Sequence, residues 1–155
     1  MNLGEHVSSG LFNTTNGMTK SFDDFHGKWV VLYFYPKDAT PGCTLEGQDF
    51  RDQYPKFTAR DTVVLGISRD SLKSHENFKA KQQFPFELIS DSDEQLCQQF
   101  AVIKMKSMYG KQVRGIERST FLIDPNGVIQ HVWRGVRVDG HVNDVLTQLE
   151  SLQST

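Results

Sequence analysis

The chain has 155 residues, enough for one ordinary domain whose core needs no disulfide framework. Lysine and arginine total 17 against 19 acidic residues, for a net charge of −2, and no long run of either sign suggests a nucleic-acid partner. The longest strongly apolar run has 7 residues, far below the ~20 that a membrane-spanning helix needs, so no membrane association is expected.

The first predicted elements form a β-α-β unit. Residues 29–35 (WVVLYFY) and 62–68 (TVVLGIS) are continuous β-branched and aromatic runs, typical of strands covered on both faces of a largely parallel sheet. Residues 43–58, between them, have helical spacing. The apolar positions of that helix are Leu45, Phe50, Tyr54 and Phe57.

Two more helices and a strand are predicted next. Residues 71–84 form a helix that ends before Pro85. Its common face holds Leu72, His75, Phe78 and Gln82. A short strand covers 86–90, and a helix over 92–100 begins with Ser92 as N-cap and Gln95 completing a capping box.

The C-terminal part predicts a hairpin and a helix. Residues 119–133 form two strands about a Pro-Asn-Gly turn, and residues 141–152 form an amphipathic helix. Its inward positions are Val142, Val145, Leu146 and Leu149. The order of elements predicts an α/β fold with one mixed central sheet flanked by helices. No repeat or linker divides the chain, so one domain over residues 1–155 is expected.

Cys43 follows an apolar strand and a short loop, and it begins a helix. Unpaired first-turn N–H groups and the helix macrodipole favour a thiolate there. A lone cysteine is more often a buried structural residue. Here Pro41 makes the helix entry rigid, Gly42 removes bulk beside the sulfur and Thr40 supplies a hydroxyl, so we favour a reactive cysteine.

Other cysteine chemistries fit less well. A Cys-x-x-Cys motif would need a second cysteine at position 46, which is Glu46. A zinc site needs clustered ligands, and the five histidines are scattered singly. A Cys-His hydrolase would join residues distant in sequence, but no histidine stands in a recognisable setting.

Pro36, Thr40 and Cys43 form the pattern P-x-x-x-T-x-x-C, and the stretch YFYPKDATPGCTLE resembles the Q-type branch of the peroxiredoxins, also called bacterioferritin comigratory proteins. The stretches LISDSDEQLCQQFAV, KSMYGKQVRGIERSTFLIDPNG and HVNDVL are similar to the same branch in order and spacing. The resemblance covers about residues 20–150.

The resemblance implies a thioredoxin-like fold and an antioxidant enzyme that reduces hydrogen peroxide and organic hydroperoxides with thiols, using no metal or organic cofactor. Cys43 is then the peroxidatic cysteine, Thr40 and Pro36 shape its pocket, and Arg118 is the active-site arginine. This suits the chemistry, because the Thr40 hydroxyl can hold the peroxide and a permanently charged guanidinium can stabilise the departing oxygen. Glu46 either orients Arg118 or favours the helix start, and it is not placed among the catalytic residues.

Two departures from that branch stand out. Many members have a resolving cysteine five residues after the peroxidatic one, where this chain has Gln48. The stretch EHVSSGLF replaces the usual Ala-Pro-x-Phe, which leaves the opening strand undefined.

Cys97 is the internal candidate for a resolving cysteine. It is equally compatible with a core position, because Leu96, Cys97 and Phe100 share one helix flank. A disulfide with Cys43 would need both helices to rearrange, and we lean towards an external thiol such as thioredoxin, glutaredoxin or a small thiol. A monomer is expected from the resemblance. Two cysteines and no recognisable leader favour a cytoplasmic protein.

A second class of function is a thioredoxin-fold binding or chaperone module whose cysteine is vestigial or a sensor. A binding module has no need of the complete set Pro36, Thr40, Cys43 and Arg118, so the set favours a peroxidase.

Overall fold

The computed structural model describes residues 1–8 and 10–154. The strands within these ranges are β1 (Phe12–Thr14), β2 (Met18–Lys20), β3 (Trp29–Phe34), β4 (Thr62–Ser68), β5 (Glu87–Ser90), β6 (Ile103–Met108), β7 (Lys111–Ile116), β8 (Ser119–Ile123) and β9 (Ile129–Arg134). The helices are α1 (Pro41–Thr58), α2 (Leu72–Gln82), α3 (Gln95–Gln99) and α4 (His141–Gln153), with a 3-10 turn at Phe22–Phe25. No helix in the described part of the chain is long and apolar enough to cross a membrane.

The central sheet has the strand order β2-β1-β5-β4-β3-β8-β9. Strands β3, β4 and β5 are parallel, whereas β1, β2, β8 and β9 join by antiparallel pairing. This confirms the predicted α/β class with a mixed sheet flanked by helices. The predicted strands at 29–35 and 62–68 form the middle of the sheet, and most of their residues are buried, as continuous apolar runs require.

The sheet separates two hydrophobic clusters, because alternate residues of a strand face opposite sides. The α1-side cluster contains Val31, Tyr33, Tyr35, Cys43, Phe50, Phe57, Val64, Phe78, Phe84, Phe86, Leu88, Leu122, Val142, Val145, Leu146 and Leu149. The α3-side cluster contains Val7, Phe12, Phe22, Val30, Leu32, Phe34, Leu65, Ile67, Ile89, Leu96, Cys97, Phe100, Val102, Ile116, Phe121, Ile123 and Ile129. Trp29 and Trp133, the two tryptophans of the sequence, both pack against the α1-side cluster.

Helix α1 differs from the prediction in its first residue and in the residues that face the core. It begins at Pro41 rather than at residue 43, because Thr40 is extended and proline is well suited to the first helical position. The residues that face the core are Cys43, Glu46, Gly47, Phe50 and Phe57. Leu45, predicted to face inwards, is therefore exposed, and the acidic Glu46 is buried in its place.

Helix α3 is shorter than predicted, and its predicted capping box is wrong. Glu94 is the N-cap, with a left-handed φ of 64° and no side-chain cap. The Asp91 carboxylate takes over the capping, since it accepts the backbone N–H groups of Leu96 at 3.0 Å and Cys97 at 2.7 Å. Ser92 therefore has no capping role.

The remaining predicted elements are confirmed with small shifts. In α2, the side chain of Ser71 accepts the N–H of Ser74, and the helix ends at Gln82 because Gln83 is left-handed with φ 57°. Two of its predicted core positions, His75 and Phe78, are buried. All four predicted inward residues of α4 are buried, and β8 and β9 form the predicted hairpin.

One hairpin was not predicted. Strands β6 and β7 form a two-stranded sheet separate from the central one. Their turn places Tyr109 and Gly110 at positive φ, 53° and 77°, as a tight hairpin turn requires. Most residues of both strands are exposed, so no buried apolar run marked them in the sequence.

Candidate active site

Cys43 lies in the first turn of α1, at the end of strand β3. The N–H of Tyr35 still bonds to the Ile67 carbonyl at 3.0 Å, but Pro36 has no N–H to continue the ladder. The chain therefore leaves the sheet at Pro36 and enters α1 through the extended Thr40. Cys43 is 2 % exposed, and its sulfur is a free thiol at the positive end of the helix.

Arg118 reaches Cys43 from the segment between β7 and β8. Ser119 pairs with Phe34 in the sheet, so the preceding Arg118 lies beside the end of β3. Its Nη2 donates to the Cys43 Sγ at 3.5 Å, and its Nη1 donates to Glu46 Oε1 at 2.7 Å. One guanidinium therefore bridges the sulfur and a carboxylate that sequence reasoning had left outside the site.

Glu46 is fully buried one turn after Cys43, and its Oε2 has no hydrogen-bond partner among the described residues. Burial raises the pKa of Glu46 to about 7 even though Arg118 acts to lower it. For Arg118 the balance is reversed: burial acts to lower its pKa, but Glu46 and Cys43 outweigh that effect and raise it. The ion pair therefore offsets the cost of burial for Arg118 but not for Glu46. The difference follows from Glu46 Oε2, which is buried without a hydrogen bond.

Two glycines of α1 set how closely the neighbouring side chains approach. A Cβ on Gly42 would lie 3.2 Å from Arg118 Nη2, so the missing side chain leaves room for the guanidinium beside the sulfur. A Cβ on Gly47 would lie 2.3 Å from Phe84 Cζ. The Phe84 ring thus packs directly on the helix backbone just after Glu46.

Thr40 and Pro36 complete the set of predicted site residues. Both are half-buried in the loop that leads to α1. The Thr40 hydroxyl donates to the Lys37 carbonyl at 2.8 Å. Because its hydrogen is used there, its oxygen is left as an acceptor for an incoming O–H group.

Cys97 is not brought to Cys43. It is fully buried in the α3-side cluster, across the sheet from the α1-side cluster that contains Cys43. Burial, and then a hydrogen bond and the charge of Asp91, raise the pKa of the Cys97 thiol. Both cysteines are free thiols in this arrangement.

A polar cluster behind the loop has the spacing of metal ligands. One ligand atom each from Asp38, Asp70 and His75 lies within 4.8 Å of the others. However, Ser74 Oγ donates to Asp38 Oδ2 at 2.8 Å, and Ser68 Oγ donates to Asp70 Oδ2 at 2.6 Å. Protein donors thus reach both carboxylate oxygens of Asp38 and Oδ2 of Asp70, so these atoms belong to a hydrogen-bond network within the protein.

The class of protein follows from this geometry. A buried thiol at a helix start, held against an arginine beside a thioredoxin-like sheet, is suited to reductive attack on an O–O bond. The chain belongs to the AhpC/TSA family, whose sequence pattern matches residues 4–132.

Relatives and solved structures narrow the assignment. The chain is 58 % identical over 125 residues to Peroxiredoxin Bcp of Xanthomonas campestris pv. campestris, covering 81 % of this chain and 78 % of the relative. It is 47 % identical over 150 residues to Peroxiredoxin Bcp of Bacillus subtilis, covering 97 % and 96 %. A cysteine-to-serine mutant of Xylella fastidiosa PrxQ superposes with a TM-score of 0.95 at 46 % identity, covering 99 % of this chain and 98 % of that chain. The chain is thus a peroxiredoxin, a thiol-dependent peroxidase.

Proposed function

We propose that Cys43 is the peroxidatic cysteine and that Arg118, Thr40 and Pro36 form its catalytic surroundings. The observation that carries the proposal is the contact between Arg118 Nη2 and Cys43 Sγ, 3.5 Å apart at the start of α1. The thiolate is the attacking form, and the Arg118 guanidinium and the start of α1 both present N–H donors to the space around the sulfur.

The proposed reaction moves one electron pair from sulfur to oxygen. The Cys43 thiolate attacks the nearer oxygen of the hydroperoxide, so an S–O bond forms while the O–O bond breaks. The second oxygen leaves as alkoxide or hydroxide and takes a proton, and Cys43 is left as a sulfenic acid. Arg118 stabilises the charge on the departing oxygen, and the Thr40 oxygen accepts the peroxide O–H and fixes its direction.

The proposed substrates are hydrogen peroxide and alkyl hydroperoxides. The bacterioferritin comigratory protein of Xanthomonas campestris has alkyl peroxide reduction activity. Its structure superposes on this chain with a TM-score of 0.88 at 48 % identity, covering 95 % of this chain and 98 % of that chain.

The proposed reductant is an external thiol, either a small thiol or a protein such as thioredoxin or glutaredoxin. It attacks the sulfenic sulfur and releases water, and a second thiol then frees Cys43 from the mixed disulfide. The position of Cys97 on the opposite face of the sheet supports an external thiol. We further propose a monomer that works as one domain over residues 1–155 in a reducing cytoplasm, where free cysteines persist.

The test is hydroperoxide consumption by purified protein with dithiothreitol, using hydrogen peroxide and an alkyl hydroperoxide in separate assays. The wild type is expected to consume both, and Cys43→Ser neither. A folded wild type that consumes no peroxide would instead favour a binding or chaperone role for the same fold.

A further inference from the structure

We propose that His75 and Asp38 form a buried clamp that holds the loop of residues 36–40 in the conformation needed for peroxide reduction. His75 is then a positioning residue that acts through Asp38 on Thr40. The proposal rests on the proposed role of Cys43 and extends the site to helix α2.

The hydrogen bonds of His75 are fixed at both ring nitrogens. His75 is fully buried on α2. Its Nε2 lies 2.8 Å from the carbonyl oxygen of Ile89 in β5, and a carbonyl only accepts, so Nε2 carries a hydrogen. Its Nδ1 lies 2.7 Å from Asp38 Oδ2, within hydrogen-bond distance.

Both carboxylate oxygens and the backbone N–H of Asp38 are hydrogen-bonded. Tyr35 donates its hydroxyl to Asp38 Oδ1 at 2.6 Å, and Ser74 donates to Oδ2. The backbone N–H of Asp38 donates to Asp70 Oδ2 at 2.9 Å. Elements β3, β4 and α2, or residues next to them, thus all contribute to holding one loop residue.

The residue that follows Asp38 explains why such a clamp is needed. Ala39 has φ +62°, a left-handed conformation that costs free energy for a residue with a Cβ. Such strain persists only where the surroundings fix it. Ala39 joins Asp38 directly to Thr40, so a loop released at Asp38 relaxes at Ala39 and turns the Thr40 hydroxyl away from the peroxide.

Two substitutions of His75 separate its two hydrogen bonds. The amide of His75→Gln takes the place of Nε2 and keeps the Ile89 contact, whereas the amide of His75→Asn takes the place of Nδ1 and keeps the Asp38 contact. We expect His75→Gln to slow peroxide reduction by between about tenfold and a hundredfold, the range for a displaced reacting group. We expect His75→Asn to keep clearly more of the activity.

A second reaction of the same sulfur distinguishes positioning from unfolding. Alkylation of Cys43 by iodoacetamide, measured with Cys97→Ser present, needs the thiolate but not an aligned peroxide. It is expected to stay near the wild-type rate in His75→Gln. Phe78→Leu is the matched control: it thins the same buried face of α2 one turn on, and it should lower the melting temperature without separating the two reactions.

The clamp proposal is overturned if His75→Gln changes peroxide reduction and alkylation equally or not at all, or if the Gln and Asn variants match. It is also overturned if His75→Gln costs as much in a Thr40→Val background as in the wild type, because the effect then does not pass through Thr40. Should His75→Gln not fold, Asp38→Asn carries the same expectations for peroxide and iodoacetamide. A wild type that consumes no peroxide overturns the proposed function itself, and only a wild type that does consume it isolates the clamp.

Discussion

Cys43 and Cys97 lie on opposite faces of the central sheet, each buried among different side chains. A disulfide needs Cα atoms within about 7 Å of each other, so the start of α1 and the whole of α3 would have to leave their places. Each local opening costs free energy, and the two costs add. The sulfenic acid at Cys43 is therefore expected to meet an external thiol first.

Cys97→Ser is expected to keep most of the peroxidase activity with dithiothreitol, whereas Cys43→Ser abolishes it. Serine is a small replacement but leaves a hydroxyl in an apolar cluster, so some loss of stability is expected with Cys97→Ser. Comparing the rate per folded molecule removes that effect. A Cys97→Ser variant as inactive as Cys43→Ser would show that Cys97 takes part in each turnover.

Excess peroxide without thiol is expected to oxidise a sizeable fraction of Cys43 to sulfinic acid, because no neighbouring thiol protects the sulfenic acid. Mass spectrometry of peptides from treated protein measures this as two added oxygen atoms on Cys43. Cys97, buried as a neutral thiol, serves as the internal control and should stay reduced. A quantitative Cys43 to Cys97 crosslink in place of the sulfinic acid would contradict the expectation.

Arg118→Ala is expected to slow peroxide reduction by roughly a hundredfold or more, the usual effect of removing a donor to a developing oxyanion. The folded fraction, measured by circular dichroism, should fall far less than the rate. Arg60→Ala is the matched control, since Arg60 pairs with Glu150 on the surface at 3.8 Å. Equal losses of activity and of folded protein would make Arg118 a structural residue.

Glu46 gives the folding stability a pH dependence. Its carboxyl has an ordinary pKa of 4.5, which burial raises to about 7 in the folded protein. Between these values the folded protein holds a proton that the unfolded chain has lost, so stability falls as the pH rises through this window. The cost is absent below pH 4.5 and complete above pH 7, on the order of 3 kcal/mol at most.

Glu46→Gln removes that titration. Urea unfolding of wild type and variant across the same window should therefore show the wild type losing stability relative to Glu46→Gln as the pH rises. Parallel stability curves for the two proteins would mean that Arg118 keeps Glu46 ionised throughout. Both proteins share all other titrating groups, so the difference between them isolates this carboxyl.

Gly47→Ala is expected to destabilise the fold by about 1 kcal/mol or more, although alanine is the better helix former. The new methyl group meets the Phe84 ring, which cannot withdraw because it packs between Phe78 and Phe86. Thermal unfolding measures the loss, and Phe84→Leu should restore part of it. Gly115→Ala is the control, since a Cβ there meets no atom within 4 Å.

Elements that are specified by their own residues could be predicted from the sequence. The predicted strand at 62–68 and the predicted inward face of α4 are confirmed, because buried strands and amphipathic helices have local patterns of apolar residues. The outward turn of Leu45 could not be predicted, since Glu46 takes the inward place through a partner 72 residues away. The capping box at Ser92 was wrong because the neighbouring Asp91 supplies the better acceptor.

In the candidate site, too, residues close together in the sequence could be predicted, whereas contacts between distant residues could not. Thr40 and Cys43 could be found because they lie three residues apart in one recognisable stretch. Arg118 was reached through family resemblance, and its contact with the sulfur depends on the pairing of β3 with β8. The contact between Asp38 and His75 spans 37 residues and joins a loop to a helix, so no local sequence pattern predicts it.

Both tryptophans pack against the α1-side cluster, so tryptophan fluorescence reports mainly on that side of the sheet. Indole emission depends on the immediate surroundings of the ring, so a loosening of the α1-side cluster should change the fluorescence. Opening around Cys97, across the sheet, should leave the emission largely unaltered. Stopped-flow fluorescence can therefore follow changes on the side of the sheet where Cys43 lies, and it is expected to respond little to changes around Cys97.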